Sequence, residues 1–190
     1  MHPPAVLRSR LFSRLLAAGH DLVVFDNSPA ALDRLREKGA KVATSPRALA
    51  DQVELVMLCL PMPTIVESVV CAEDGVMHGQ GVRVIVDLST TGPSVTDAVA
   101  SQAAAHQIEW IGSPVSGGTI GAEKGILTLM ASGPEAAFKS AEPVLQVLGK
   151  NIFYLGAAPS LGQTMKIVNN TLCAVSIVAS CETLVYGAKA

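Results

Sequence analysis

Charge is scarce in this sequence. Asp, Glu, Lys and Arg supply only 16% of its 190 residues, and they nearly cancel, 14 basic against 16 acidic for a formal −2. With aromatics at 4%, the chain lacks both the positive field and the stacking platforms that nucleic-acid binding needs. Cysteine is thin as well. Cys59, Cys71, Cys173 and Cys181 include no C-x-x-C pair, so a zinc site or a disulfide framework is not expected, and reduced thiols in a cytoplasmic protein are. The histidines (His2, His20, His78 and His106) lie apart with no metal-ligand spacing, so no metal is expected. Long apolar runs are missing too: none reaches the ~18 uninterrupted residues of a membrane span. The richest stretch, 172–185, is broken by Ser176, Ser180, Cys181, Glu182 and Thr183, and no membrane partner is expected. What is plentiful is apolar residue, 49% of the chain, which excludes disorder and provides for one core and part of another. So little charge implies that some surface is covered by another subunit or by further chain.

Short apolar runs alternate with helical stretches. Residues 22–25 (Leu-Val-Val-Phe), 55–60 and 82–86 read as strands buried on both faces, with short strands at 41–43 and 109–111. Helices are expected at 31–38, 64–70 and 93–106, opened by prolines or stopped by glycine. Arg8, Arg10 and Arg14 precede the first acid, Asp21, as in an organelle transit peptide. Leu7, Leu11 and Leu15, however, recur at helical spacing, and an amphipathic helix packed on a sheet is the preferred reading. From Ser116 the chain is expected to form a Gly-rich loop, followed by a strand at 127–131, a helix at 134–148, a strand at 152–155 and one long, mostly apolar helix from 163 to about 186. Strands alternating with helices predict an α/β fold, a Rossmann-like doubly wound, mostly parallel sheet. Its binding site would lie beyond the carboxyl ends of the strands.

Those ends carry the candidate chemistry. Asp26 follows the first strand, where a carboxylate accepts hydrogen bonds from ribose hydroxyls or closes an Asx turn with Asn27, Ser28 and Pro29. Leu60 and Pro61 end the second long strand; the prolines force the backbone out of the sheet, leaving an apolar shelf or a plain strand stop. Ser116-Gly117-Gly118 offers successive N–H groups for an anion, or a tight turn. Lys166 and Asn170 stand one turn apart on the long helix. An ammonium on an apolar helix is either desolvated into a general acid–base or snorkels to water.

Taken together, Ala18-Gly19-His20, Leu60-Pro61, Asp87-Leu88-Ser89-Thr90, residues 114–118, Gly121-Ala122 and residues 162–170 resemble the β-hydroxyacid dehydrogenase family. They run from about residue 10 to the end. The resemblance implies hydride transfer between NAD, with NADP not excluded, and a short 3-hydroxy acid or its semialdehyde. It implies that Ser116, Gly117 and Gly118 hold the substrate carboxylate, Asn170 orients the substrate and Lys166 relays the proton. Leu60, Pro61, Ile65 and Thr90 would line the cofactor, with Asp26 tilting the choice toward NAD. Imine reductases are a rival against which Lys166 counts.

Two departures accompany it. Counting back from Gly19, the three glycine slots of the family's phosphate turn fall on Pro3, Ala5 and Arg8, and no room is left for the strand before them. A misplaced start is the expected reason. The family's helical domain would lie beyond Ala190; a smaller departure is Gly112-Ser113 before Pro114. The expected organisation is therefore an N-terminally incomplete dinucleotide-binding domain over 1–160 and the start of a truncated helical domain over 161–190, oligomeric through that last helix. The alternative is a non-catalytic fragment or interaction module that keeps the fold without productive dinucleotide binding.

Overall fold

The computed structural model describes residues 4–190, so His2 and Pro3 lie outside the described residues. Helix α1 (Pro4–Ala17) comes first. Its Leu11 and Leu15 are fully buried, as their spacing predicts. Its arginines are anchored as well: Arg10 pairs with Glu123, and the Arg14 guanidinium donates to the carbonyls of Val147 and Glu123 at 3.0 and 3.1 Å. Ala5 and Arg8, two of the three expected glycine slots, are helical rather than part of a turn.

A first pair of strands follows, β1 (Val23–Val24) and β2 (Lys41–Val42), running parallel with α2 (Pro29–Arg36) between them. After α3 (Pro46–Ala50) comes β3 (Leu55–Leu58), parallel to β4 (Val84–Asp87), which is parallel to β5 (Glu109–Gly112). Helices α4 (Pro63–Cys71) and α5 (Pro93–Ala105) make the crossovers. Each opens on a proline at its first turn, where the missing N–H removes no helical bond. The α/β fold with helices crossing between parallel strands is thus the expected one, but β1 is only two residues long although its apolar run is four. Among the described residues its second edge has no neighbour, and a strand paired on one side frays.

The third sheet departs from the sequence reading. Residues 115–124 are not a loop: Val115–Ser116 form β6, antiparallel to β7 (Leu127–Ala131), and Gly118–Lys124 form α6. β7 then pairs in parallel with β8 (Gly149–Tyr154), with α7 (Glu135–Leu148) between them. Glycines masked this short helix, because the Gly117 and Gly118 φ values of +124° and +61° create the turn into it and not a break.

Side chains of β3 divide alternately between two cores. Leu55, Met57 and Cys59 join α1 and α7 on one face, while Val56 and Leu58 join α4 and α5 on the other. The last element, α8 (Leu161–Lys189), leaves this body: only Gly162, Gln163 and Lys166 on it are buried. Among the described residues α8 is long and apolar enough to cross a membrane, with mean hydropathy 1.5 over its best window, because its interruptions are mostly small and neutral.

Candidate active site

The carboxyl ends of β3 and β4 are joined by a buried polar network. Asp87, fully buried at the end of β4, accepts from the Ser89 amide at 2.9 Å and from the Thr91 hydroxyl at 3.4 Å. That hydroxyl is 2.8 Å from the Thr96 Oγ1. Ser89 Oγ in turn accepts from the Leu60 amide at 2.9 Å. Burial drives the Asp87 carboxyl above its ordinary value of 3.8, with the bonds from Ser89 and Thr91 opposing it.

Gln163 fastens α8 to this network. Its side chain is fully buried; Oε1 accepts from the Thr91 and Gly92 amides at 3.1 and 3.3 Å, and Nε2 donates to the Ser89 carbonyl at 2.9 Å. Gly162 sets the helix down on β7, since a Cβ there would collide with the Met130 carbonyl oxygen. Its amide donates to Ser132 Oγ at 2.8 Å, and that hydroxyl donates to the Pro159 carbonyl at 2.8 Å.

One turn beyond Gly162 sits Lys166, only 8% exposed although Met165 and Ile167 beside it are 46% and 43% exposed. Among the described residues it has no carboxylate partner. Desolvation lowers its pKa below the ordinary 10.5, with a smaller opposing pull from Cys173. The exposed lysine permitted by the sequence is therefore not the one observed. Asn170, one turn further, is exposed, and Asn169 is half-buried. Ser116 is half-buried with Gly117 and Gly118 open to solvent. The Pro114 carbonyl accepts from the Met130 amide at 3.1 Å, so the strand leading to this bend and the seat of α8 share β7.

The cofactor-side residues divide. Asp26, Leu60, Pro61 and Ile65 line one cavity of about 470 Å³; Thr90 is exposed, and its neighbour Thr91 is the buried member of the network. Asp26 does not stand open. It accepts from the Ser28 amide at 2.9 Å, as an Asx turn would, and Arg8 of α1 lies 3.2 Å from its other oxygen. A ribose hydroxyl meeting Asp26 would therefore share that carboxylate with the Arg8 guanidinium. The same cavity holds Cys59, whose thiol burial pushes up to about 12.

The sequence reading named Asp87 and Gln163 only within the stretches that carry the resemblance, without a role of their own, and missed Thr96 and Ser132. An Asp ending a wholly apolar strand and a Gln at the head of an apolar helix were the available signals. It also kept the histidines apart, whereas the fold brings His78 and His106 edge to face, 5.1 Å between ring centres. Among the described residues no cluster could hold a metal ion, and all four cysteines are free.

Residues 5–156 match the NAD binding domain of 6-phosphogluconate dehydrogenase. A probable mitochondrial 3-hydroxyisobutyrate dehydrogenase of Dictyostelium discoideum is 40% identical over 92% of this chain and 54% of its own length. The 3-hydroxyisobutyrate dehydrogenase of Pseudomonas aeruginosa is 38% identical over 93% of this chain and 59% of its own. Among solved structures, a Mycobacterium tuberculosis 3-hydroxyisobutyrate dehydrogenase with L-serine superposes with a TM-score of 0.90 at 29% identity, over 97% of this chain and 62% of that one. The chain therefore spans between half and two thirds of the length of these relatives.

Proposed function

The chain belongs to the family of the NAD binding domain of 6-phosphogluconate dehydrogenase, and from that premise we propose that it serves a β-hydroxyacid dehydrogenase. The reaction is hydride transfer between NAD(P) and a short 3-hydroxy acid or its semialdehyde, the class named for its 3-hydroxyisobutyrate dehydrogenase relatives. The observation that carries this reading is the burial of Lys166 on a helix otherwise turned to solvent.

In this reading the nicotinamide cofactor supplies the hydride acceptor or donor. The Lys166 amine takes the hydroxyl proton as the alcohol is oxidised and returns it in reduction; a lysine with lowered pKa spends more of its time neutral and able to accept. The Ser116 hydroxyl and the amides of Gly117 and Gly118 bind the substrate carboxylate, and Asn170 orients its other end. Leu60, Pro61, Ile65 and Thr90 line the nicotinamide side. Gln163 and Asp87 hold Lys166 in register with the ends of β3 and β4. The exposed apolar side of α8, with Leu172, Val175 and Val178 each at least 60% exposed, supports oligomeric association or cover by further helices, and the free thiols support a cytoplasmic setting.

The test is NAD+ reduction with 3-hydroxyisobutyrate, L-serine and 2-(hydroxymethyl)glutarate, alongside Lys166→Ala. Turnover lost in the variant with NADH affinity retained supports the assignment; turnover retained overturns it. The Arg8–Asp26 pair favours a second reading, a module that keeps the fold without productive dinucleotide binding, for which NADH fluorescence would show no saturable change.

A further inference from the structure

The bend that would take the substrate carboxylate is the opening of a very short helix. α6 has seven residues, and helices shorter than about 12–15 residues are marginal unless something outside them holds them. Gly117 and Gly118 lead into it at φ +124° and +61°, and the Gly121 amide donates back to the Gly117 carbonyl at 3.0 Å. Glycines carry no side chain that could restrain the bend and give up more conformational freedom than other residues on ordering. The bend amides therefore keep their direction only as well as α6 keeps its own.

A cation from another element holds the far end. Arg14 of α1 is half-buried; its Nη1 donates to the Glu123 carbonyl at 3.1 Å and its Nε to the Val147 carbonyl at 3.0 Å. Glu123 is the last residue but one of α6, and Val147 the last but one of α7. Both carbonyls belong to the final turn, where a helix leaves its acceptors without partners. Two helix ends, each carrying about half a negative charge, thus converge on one guanidinium. Gly125 makes the approach possible: it closes α6 at φ +66°, and a Cβ there would overlap the guanidinium. Among the described residues Arg14 pairs with no carboxylate, so its charge is directed at the two helix ends. Arg10 adds a second point of attachment, donating to the Thr119 carbonyl at 3.4 Å and pairing with Glu123.

We propose that Arg14 is a positioning residue for substrate binding. By tying the carboxyl ends of α6 and α7 to α1, it fixes the direction in which Ser116, Gly117 and Gly118 present their donors to a carboxylate. It touches neither substrate nor cofactor; its contribution is to order the bend before the ligand arrives, so that binding does not have to. The inference rests on the β-hydroxyacid dehydrogenase reading for what the bend binds, and adds to it the residue that holds the bend ready.

The test compares the whole 190-residue chain with Arg14→Gln, which removes the charge, and Arg14→Lys, which keeps the charge but not the fork of donors. Amide exchange measured by NMR should quicken at least about tenfold at Gly121 and Ala122 in R14Q and stay unchanged at Val86 and Ile111. Titration with 3-hydroxyisobutyrate, followed at the Gly117 and Gly118 amides, should saturate in the parent and weaken at least about tenfold in R14Q. R14K should fall between the two, with NADH affinity equal in all three. An arginine with a merely structural role would lower the melting temperature without this split. Unchanged exchange in R14Q, or quickened exchange with carboxylate affinity intact, overturns the proposal and leaves the dehydrogenase reading standing. If R14Q does not fold, R14K decides by the same split, and affinities equal to the parent's overturn the proposal. A parent chain whose Gly117 and Gly118 signals ignore the hydroxy acid overturns both.

Discussion

Arg8 in α1 and Asp26 after β1 form an ion pair at 3.2 Å, with side chains 18% and 15% exposed. The pair joins a residue standing in an expected glycine slot to the residue expected to meet the adenosine ribose. A residue of the first helix thereby occupies one oxygen of a carboxylate 18 positions away in the sequence.

Arg8→Ala should release that carboxylate. Its hydrogen bond from Ser28 remains, and the free oxygen can accept from a ribose hydroxyl while repelling a 2′-phosphate. We expect NADH affinity to rise about tenfold or more, the worth of one charge-assisted hydrogen bond of about 1.5 kcal/mol or above, with NADPH affinity unchanged or lower. Fluorescence titration of both cofactors reads this directly; equal gains for the two would show that Asp26 is not the discriminating group.

Gln163→Ala strips the Thr91 and Gly92 amides and the Ser89 carbonyl of their shared partner. Buried polar groups left unpaired cost about 1–3 kcal/mol each, partly relieved by water entering the space. A loss of about 2–4 kcal/mol is expected in urea unfolding. Gln163→Glu should be worse than a simple isostere, since it adds a charge and removes the donor to Ser89.

Lys166→Met separates chemistry from stability. The lowered pKa means that the folded chain resists carrying this charge. The penalty is in full force below the folded pKa and fades as pH rises toward the unfolded value of 10.5. The Met variant should therefore melt higher than the parent near pH 7, with the gap closing toward pH ~10. A gap that is constant across that range would place the amine in water.

Asp87→Asn works at the opposite end of the scale. Its side-chain amide still accepts from Ser89 and can donate to Thr91 Oγ1. A carboxyl raised above 3.8 by burial destabilises the fold once it ionises. The parent should thus lose stability relative to D87N as pH climbs from the unfolded pKa through the folded one, and hold its full stability below both. Parallel melting curves from about pH 3 to 7 decide it, each 1 kcal/mol of difference appearing as a shift of roughly 2–4 °C. Curves that stay a fixed distance apart would mean that the carboxyl does not ionise against burial.

Thiol reactivity maps the cover of α8. Cys59 is buried with its pKa near 12 and should react with a disulfide reagent only on unfolding. Cys173 and Cys181 are exposed on α8 and should react at once in dilute protein. Protection of both at high concentration would accompany association through that helix, and sedimentation would show the oligomer.

Much of this was legible in the residues. The alternation of apolar runs with proline-opened helices determined the α/β fold, because strand and helix periodicities and the chirality of crossovers act locally. The amphipathic spacing of Leu7, Leu11 and Leu15 determined α1, and the apolar company kept by Lys166 singled it out as the one cation on that stretch of helix. Two things were decided only in three dimensions. Whether Lys166 reaches water depended on Gly162 and Gln163 drawing the head of α8 onto β7 and the end of β4, contacts that span 30 to 74 positions in sequence. Whether Asp26 stood open depended on where α1 docks. Periodicity describes which face of an element is buried; it carries no record of which distant side chain arrives there, since that is fixed by packing among elements far apart along the chain.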